Sequence, residues 1–224
     1  MSGVESLYPF LYDEPDRGTG AEALAGVLAE VARSTRDKVA EIGRVRAALL
    51  AADGPRIAAC ATAMAERFAA GGRLYSFGNG GSSTDAEALA GCFRHPPRGA
   101  GLPAFALTSD VATLTALAND VSFEVVFARP LAAAGRPGDI AVGLSTSGGS
   151  ANVLRGLAEA HRRGMLTVAM AGYAGGGMAE AARRGEVDHL FVMPSDSVHR
   201  IQEAQTTTYH VLWELVSAAL APGP

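Results

Sequence analysis

Gln202, Thr206 and His210 recur at i, i+4 and i+8 within "RIQEAQTTTYH", so a helix there sets an amide, a hydroxyl and an imidazole along one stripe. An imidazole titrates near neutrality and both takes and returns protons, the work of general acid–base chemistry. A histidine near a helix end also serves the helix dipole or a backbone carbonyl, so spacing alone leaves its role open.

Two loops offer a second kind of chemistry. Gly78-Asn79-Gly80-Gly81-Ser82 follows the apolar run "LYSF", and its glycines permit positive φ and close approach of the backbone to a ligand. Ser145-Thr146-Ser147-Gly148-Gly149-Ser150 follows "IAVGL" and precedes a helical stretch. Four hydroxyls with the amides of a helix start surround a phosphate without lysine or arginine. Neither a Walker A lysine nor G-x-G-x-x-G spacing is present in the first loop, which moves nucleotide binding down the order. Ser82 and Asp85 have the spacing of a capping box. A third glycine-rich stretch, "GYAGGGMAE" at 172–180, reads as a flexible turn from strand to helix.

The elements that position these residues follow from the apolar pattern. "RLYSFG", "PAFALT", "DIAVGLS", "LTVAMAG" and "HLFVMP" are short apolar runs separated by helical stretches, the grammar of a parallel sheet covered by helices on both faces. Leu24, Val27, Leu28, Val31, Val39, Ile42, Val45 and Leu49 predict one helix or two before the sheet, and Ile57–Ala69 a further one that ends at Gly71-Gly72. A closing helix is expected over 201–220. Tyr8, Phe10 and Tyr12 stand in an irregular aromatic arm over 1–20, which either frays or docks, and residues 21–224 are expected to form a single domain with N-terminal helices over 21–70.

The net charge of −4, without any block of lysine or arginine, argues against nucleic acid or an anionic membrane as partner. Cys60 and Cys92 form no CxxC motif or disulfide framework, and no apolar run spans a bilayer. The start has no signal-peptide pattern, so the expected setting is the cytoplasm.

"GNGGSSTDAEA", "ALTSDVATLTALANDVSFEVVFARPL", "GRPGDIAVGLSTSGGSANVLRGL" and "RIQEAQTTTYH" together resemble the sugar isomerase (SIS) domain family, in its phosphoheptose isomerase branch. The resemblance implies an α/β three-layer sandwich with a five-stranded parallel sheet, preceded by N-terminal helices that assemble a homotetramer with sites at subunit interfaces. It implies a phosphorylated sugar as ligand, cradled by Ser145, Thr146, Ser147 and Ser150, with Asn79, Gly80, Ser82 and Asp110 toward its hydroxyls. The implied reaction interconverts sedoheptulose 7-phosphate and an aldose through an enediolate, with Gln202 and His210 at the reacting end.

In that branch a histidine and a glutamate one helical turn apart after the first loop join the closing helix's glutamine and histidine as metal site and acid–base pair. Here Ala88 and Cys92 stand at those two places, His199 replaces a common aspartate before "RIQE", and Gln205 a common histidine. Three readings remain open. Cys92 replaces the glutamate as base or as a zinc ligand with Gln202 and His210, joined by His95 or His199; or Gln202 and His210 sustain an altered isomerase alone; or the loops bind a phosphosugar without turnover, as a sensing or assembly module. A cysteine in this position also serves as a small apolar residue.

Overall fold

A computed structural model describes residues 20–97 and 99–221, with side chains from Leu24 onward, so the aromatic arm with Tyr8, Phe10 and Tyr12 lies outside the described residues. The chain divides into two units at the boundary between Glu41 and Ile42. In the first unit Leu24, Val27, Leu28, Val31 and Val39 are all exposed.

Helix α1 spans Gly20–Ala69 and carries Pro55 inside it. The apolar spacing predicts separate helices up to Leu50 and over Ile57–Ala69, and the proline between them lacks an N–H and crowds the carbonyl four residues back. The helix instead runs through. Val45 and Leu49 before the proline and Ile57, Cys60 and Met64 after it all bury in one apolar cluster, and that packing outweighs the cost of about 3 kcal/mol for an interior proline.

The second unit contains five parallel strands: β1 (Leu74–Gly78), β2 (Ala104–Ala106), β3 (Ile140–Leu144), β4 (Leu166–Ala171) and β5 (His189–Val192), in the order β2-β1-β3-β4-β5. Each expected apolar run supplies one strand. β1, β3 and β4 are buried along their whole length, as strands covered on both faces must be. Leu74, Val142, Val168 and Phe191 face one cluster, which the second half of α1, helix α2 (Gly81–Arg94) and helix α7 (Val198–Leu220) close. Tyr75, Phe77, Ala141 and Ala169 face the other, covered by helices α4 (Ala128–Ala134), α5 (Ala151–Arg162) and α6 (Gly176–Arg183). The result is the three-layer α/β sandwich. Helix α3 (Val111–Asp120) lies between β2 and α4 in the chain and has no buried residue.

α7 begins at Val198, three residues before the expected start, with Ser197 in the capping position. The capping box at the start of α2 does not form: the helix starts at Gly81, so Ser82 is already inside it, and the Gly80 cap has no side-chain hydrogen bond.

The base of the sheet is pinned by Asp139, whose buried carboxylate accepts from the Arg73 backbone N–H (2.9 Å), the Arg73 guanidinium (2.8 Å) and the Arg136 N–H (3.0 Å). Arg73 is drawn above its ordinary pKa by that carboxylate. Asp139→Ala removes the acceptor of two amides and leaves Arg73 only its bond to the Ala134 carbonyl, and is expected to destabilise the protein by about 3 kcal/mol, read as a fall in Tm of roughly 6–12 °C by calorimetry.

Candidate functional site

β1 and β3 are neighbours in the sheet, but β1 is followed by β2 on one side while β3 leads to β4 on the other. Their carboxyl ends therefore border the crevice in which open α/β sheets bind ligands. Both anion-loop candidates leave from that crevice: Gly78–Ser82 after β1, and Ser145–Ser150 after β3.

In the second loop the Ser145 hydroxyl lies 3.0 Å from that of Ser150 and 3.3 Å from that of Ser147, and the Gly149 N–H donates to Ser147 Oγ at 3.2 Å. The hydroxyls thus converge at the start of α5, where the helix field favours an anion. Ser145 is buried, Thr146 and Ser150 are half-buried, and Ser147 is exposed. Gly148 has φ +66° and φ-strain would follow any side chain there; a Cβ would also sit 2.1 Å from the Gly175 carbonyl oxygen.

The third glycine stretch is thereby explained. Gly172 N–H donates to Thr146 O at 2.9 Å, Met178 N–H donates to Gly148 O at 3.0 Å, and a Cβ on Gly176 would meet Ser147 O at 2.6 Å. It is a strand-to-helix turn that packs tightly under the second loop. Gly148→Ala is therefore expected to weaken sugar-phosphate binding by roughly ten- to a hundredfold in calorimetry, through about 1–2 kcal/mol of backbone strain and displacement of the loop. Gly185→Ala, with similar φ (+76°) and open space around it, is the matched control that leaves affinity unchanged.

The first loop is tied to the second. Asn79 and Asn152 exchange reciprocal amide hydrogen bonds of 2.8 Å each, joining the loop after β1 to the first turn of α5. Asn79, expected to face sugar hydroxyls, thus braces the two loops with both of its polar atoms. Asp110, expected in the same role, caps α3: its carboxylate accepts from Thr113 N–H (3.0 Å) and Thr113 Oγ (2.6 Å) and is held below the ordinary aspartate pKa by those bonds. Ser82 is buried at the start of α2 and Gly80, with φ +56°, turns the chain into that helix.

Beyond the loop, α2 and α7 lie side by side and run in the same direction. Gly81 abuts Gln202, a Cβ on it falling 2.1 Å from Gln202 Nε2. The Thr206 hydroxyl donates to Asp85 Oδ1 at 3.2 Å, and Cys92 Sγ lies 4.0 Å from His210 Nδ1. Gln202 is thus faced by Gly81, Thr206 by Asp85 and His210 by Cys92, the last two α2 positions standing seven residues apart against four on α7. Ala88, exposed, stands between the last two.

Burial lifts the Asp85 carboxyl above the ordinary range, opposed by hydrogen bonds from Thr206, Gln202 and Tyr209. Burial likewise lifts the Cys92 thiol, which keeps it protonated at neutral pH. Cys60, in the core, is pushed up to about 12 by burial and is inert. His210 is exposed and stacked on Tyr209 (ring centroids 5.0 Å), with Trp213 edge-on at 6.4 Å. The sequence did not single out Asp85 as a site group: its capping-box spacing supplied another explanation, and only the parallel packing of α2 on α7 brings it to the stripe.

The side chains present do not make a zinc site within one chain. Structural and catalytic zinc needs three or four strong donors, whereas among the described residues no three His, Cys, Asp or Glu side chains converge. His95 accepts from Arg94 Nε at 3.2 Å, and His199 is exposed on the first turn of α7; neither completes the Cys92–His210 pair. Among the described residues no helix is long and apolar enough to cross a membrane.

Comparison with known proteins agrees with this architecture. Residues 39–172 match the SIS domain. The phosphoheptose isomerase of Thiobacillus denitrificans is 43% identical over 168 residues, 74% of this chain and 84% of that one. That of Aquifex aeolicus is 46% identical over 150 residues, 65% of this chain and 75% of its own. Among solved structures, phosphoheptose isomerase GmhA from Neisseria gonorrhoeae superposes with a TM-score of 0.77 at 32% identity, covering 84% of this chain and 99% of that chain. The Francisella tularensis phosphoheptose isomerase gives 0.79 at 30% identity, covering 84% and 98%. On its fold, its loops and these relatives, the chain belongs to the SIS-domain family, in the phosphoheptose isomerase branch.

Proposed function

We propose that the protein is a sugar-phosphate aldose–ketose isomerase acting on sedoheptulose 7-phosphate or a close relative. One observation carries the reading: the hydroxyl loop at α5 is tied through Asn152–Asn79 to the loop after β1, whose Gly81 abuts Gln202 on the same stripe of α7 that carries His210. An anion held at one end is thereby fixed relative to an acid–base group at the other, the positioning on which proton-transfer catalysis depends.

In this reading Ser145, Thr146, Ser147 and Ser150 hold the phosphate, with the α5 N-terminus supplying its partial positive charge. Gly80 lets the backbone approach the ligand, while Ser82, Asn79 and Asp110 shape the wall along the sugar chain. Gln202 donates to a substrate oxygen, and His210 carries protons to and from the oxygens as the carbonyl moves by one carbon. Cys92 packs its sulfur against His210 Nδ1 and holds the ring in place. A zinc ion would lean on Cys92, Gln202 and His210; these are two strong donors and a weak one, and no step here passes through it.

The assembly we propose is a homotetramer in the cytoplasm. Its support is the apolar row Leu24, Val27, Leu28 and Val31, exposed in the first unit, together with the unburied helix α3. The test is proton exchange next to the carbonyl of sedoheptulose 7-phosphate in heavy water, followed by NMR with and without added zinc. Enzyme-dependent deuterium incorporation is the expected result. Saturable binding without incorporation would overturn the isomerase reading and leave a phosphosugar-binding module.

A further inference from the structure

The turn that leaves β4 carries a strained residue that packing within the protein does not explain. Tyr173 has φ +51°, in the left-handed region, and among the described residues no other non-glycine residue has a positive φ. A bulky aromatic residue there is an outlier, because its Cβ crowds the backbone. The Gly175 N–H closes the turn on the Gly172 carbonyl at 2.9 Å, which puts Tyr173 second in it. Glycine, asparagine or aspartate fills that place where only a turn is required. We propose that Tyr173 is a further binding residue for the phosphosugar, its phenol hydroxyl donating to the phosphate held by the second loop; the inference rests on the proposed function.

The neighbours of Tyr173 fix its place. Gly172 donates its N–H to Thr146 O at 2.9 Å, and a Cβ on Gly172 would fall 2.3 Å from the end of the Ile201 side chain, next in the chain to Gln202. On the other side of Tyr173, a Cβ on Gly176 would meet Ser147 O at 2.6 Å. The turn is therefore wedged between the hydroxyl loop and the first turn of α7. It leaves the carboxyl end of β4, which pairs with β3, on the edge of the sheet where open α/β folds bind ligands.

The side chain itself is uncommitted. Tyr173 is 44% exposed, and among the described residues its hydroxyl has no hydrogen-bond partner and its ring no aromatic neighbour. The other two tyrosines of the described chain are buried, Tyr75 against Phe105 and Tyr209 against His210. Backbone strain that internal contacts do not offset is characteristic of ligand clamps. The chemistry suits the neighbouring loop. Residues 145–150 contain no lysine or arginine, and Ser145 shares its hydroxyl with Ser147 and Ser150, so the cradle meets phosphate with neutral donors. A phenol is one more neutral donor, and a hydrogen bond to a charged phosphate is among the stronger ones.

The test follows affinity for sedoheptulose 7-phosphate by calorimetry, inorganic phosphate as its competitor, and the melting temperature, in the wild type, Tyr173→Phe and Tyr173→Gly. Tyr173→Phe keeps the ring and the strain. It should bind the sugar phosphate about tenfold more weakly, with competition by inorganic phosphate weakened by a similar factor and melting unchanged. Tyr173→Gly releases the strain, so its melting temperature should rise by roughly 2–4 °C while affinity falls at least as far. A merely structural tyrosine does not move stability and affinity in opposite directions. Undiminished affinity in Tyr173→Phe would overturn the contact, and so would a loss toward the sugar phosphate with competition by inorganic phosphate unaltered. Should Tyr173→Gly melt lower than the wild type, Tyr173→Asn, which adopts the left-handed region without the ring, decides: native melting with lost affinity upholds the role, and native melting with affinity kept overturns it. Because these readouts are of binding, the two inferences separate. Losses in Tyr173→Phe, from a wild type that binds but does not exchange deuterium, uphold the contact and remove only the isomerase reading; equal affinity in every variant of an exchanging enzyme overturns the contact alone.

Discussion

His210→Ala is expected to lower deuterium incorporation from solvent by about 10²–10⁴-fold while leaving sugar-phosphate affinity within a few-fold of wild type. The split follows from where the imidazole stands. It is exposed beside Cys92 where α2 and α7 meet, whereas the hydroxyl loop sits at the start of α5 on the other side of the Asn79–Asn152 brace. Removing the ring leaves that brace, the hydroxyl loop and the Gln202 contact with Gly81 in place, so binding should survive. The ring is held between Tyr209 and Trp213, so the variant leaves a hole at the surface and not in the core, and folding should be unaffected. His210→Gln, which keeps a hydrogen-bonding group but cannot carry a proton, should be as inactive as alanine. Incorporation at the wild-type rate in either variant would mean that the oxygens exchange protons with solvent or with another group, and His210 would lose its place in the reaction.

The sheet was legible because buried parallel strands leave continuous apolar runs, and each run is bounded by glycine or by a helical stretch. The two loops were legible for the same reason, since strand ends and helix starts coincide there. The first long helix was read as separate pieces because its apolar spacing lapses between Leu50 and Ile57, whereas the residues on either side of Pro55 share one core. Asp110 and Asn79 were placed on the site by the family resemblance, while the structure shows each with a nearby partner: Thr113 for the first and Asn152, 73 residues on, for the second. A local cap can be foreseen from Asp-x-x-Thr; a reciprocal amide pair across two loops cannot. Asp85 and Thr206 are 121 residues apart, and no periodicity within either helix announces that their stripes face each other. Ala88 and Cys92, by contrast, were legible as departures in the sequence, and the structure gives the departure its physical content: an exposed methyl group at one position and a sulfur–imidazole contact at the other.

That content sets the second prediction. The double substitution Ala88→His with Cys92→Glu is expected to convert a chain that retains no zinc after dialysis into one that holds about one ion per site, measured by plasma spectrometry. Positions 88 and 92 are one turn apart on α2, so the introduced imidazole and carboxylate would project together toward the groove. The second already faces His210, since the cysteine sulfur there reaches its ring, and Gln202 lies two turns before His210 on the same stripe of α7. Two nitrogen donors, a carboxylate and an amide oxygen would then converge where, among the described residues, Cys92 and His210 now face each other. Position 88 is exposed, so the larger side chain meets no buried neighbour, and the melting temperature should not fall. Each single substitution should capture markedly less metal than the pair, because three donors hold zinc less tightly than four. Failure of the double variant to retain zinc, with its fold intact, would show that the spacing of α2 and α7 itself had drifted from a metal-binding geometry. Retention of zinc by the unaltered protein would show instead that a donor from outside the single chain completes the Cys92–His210 pair.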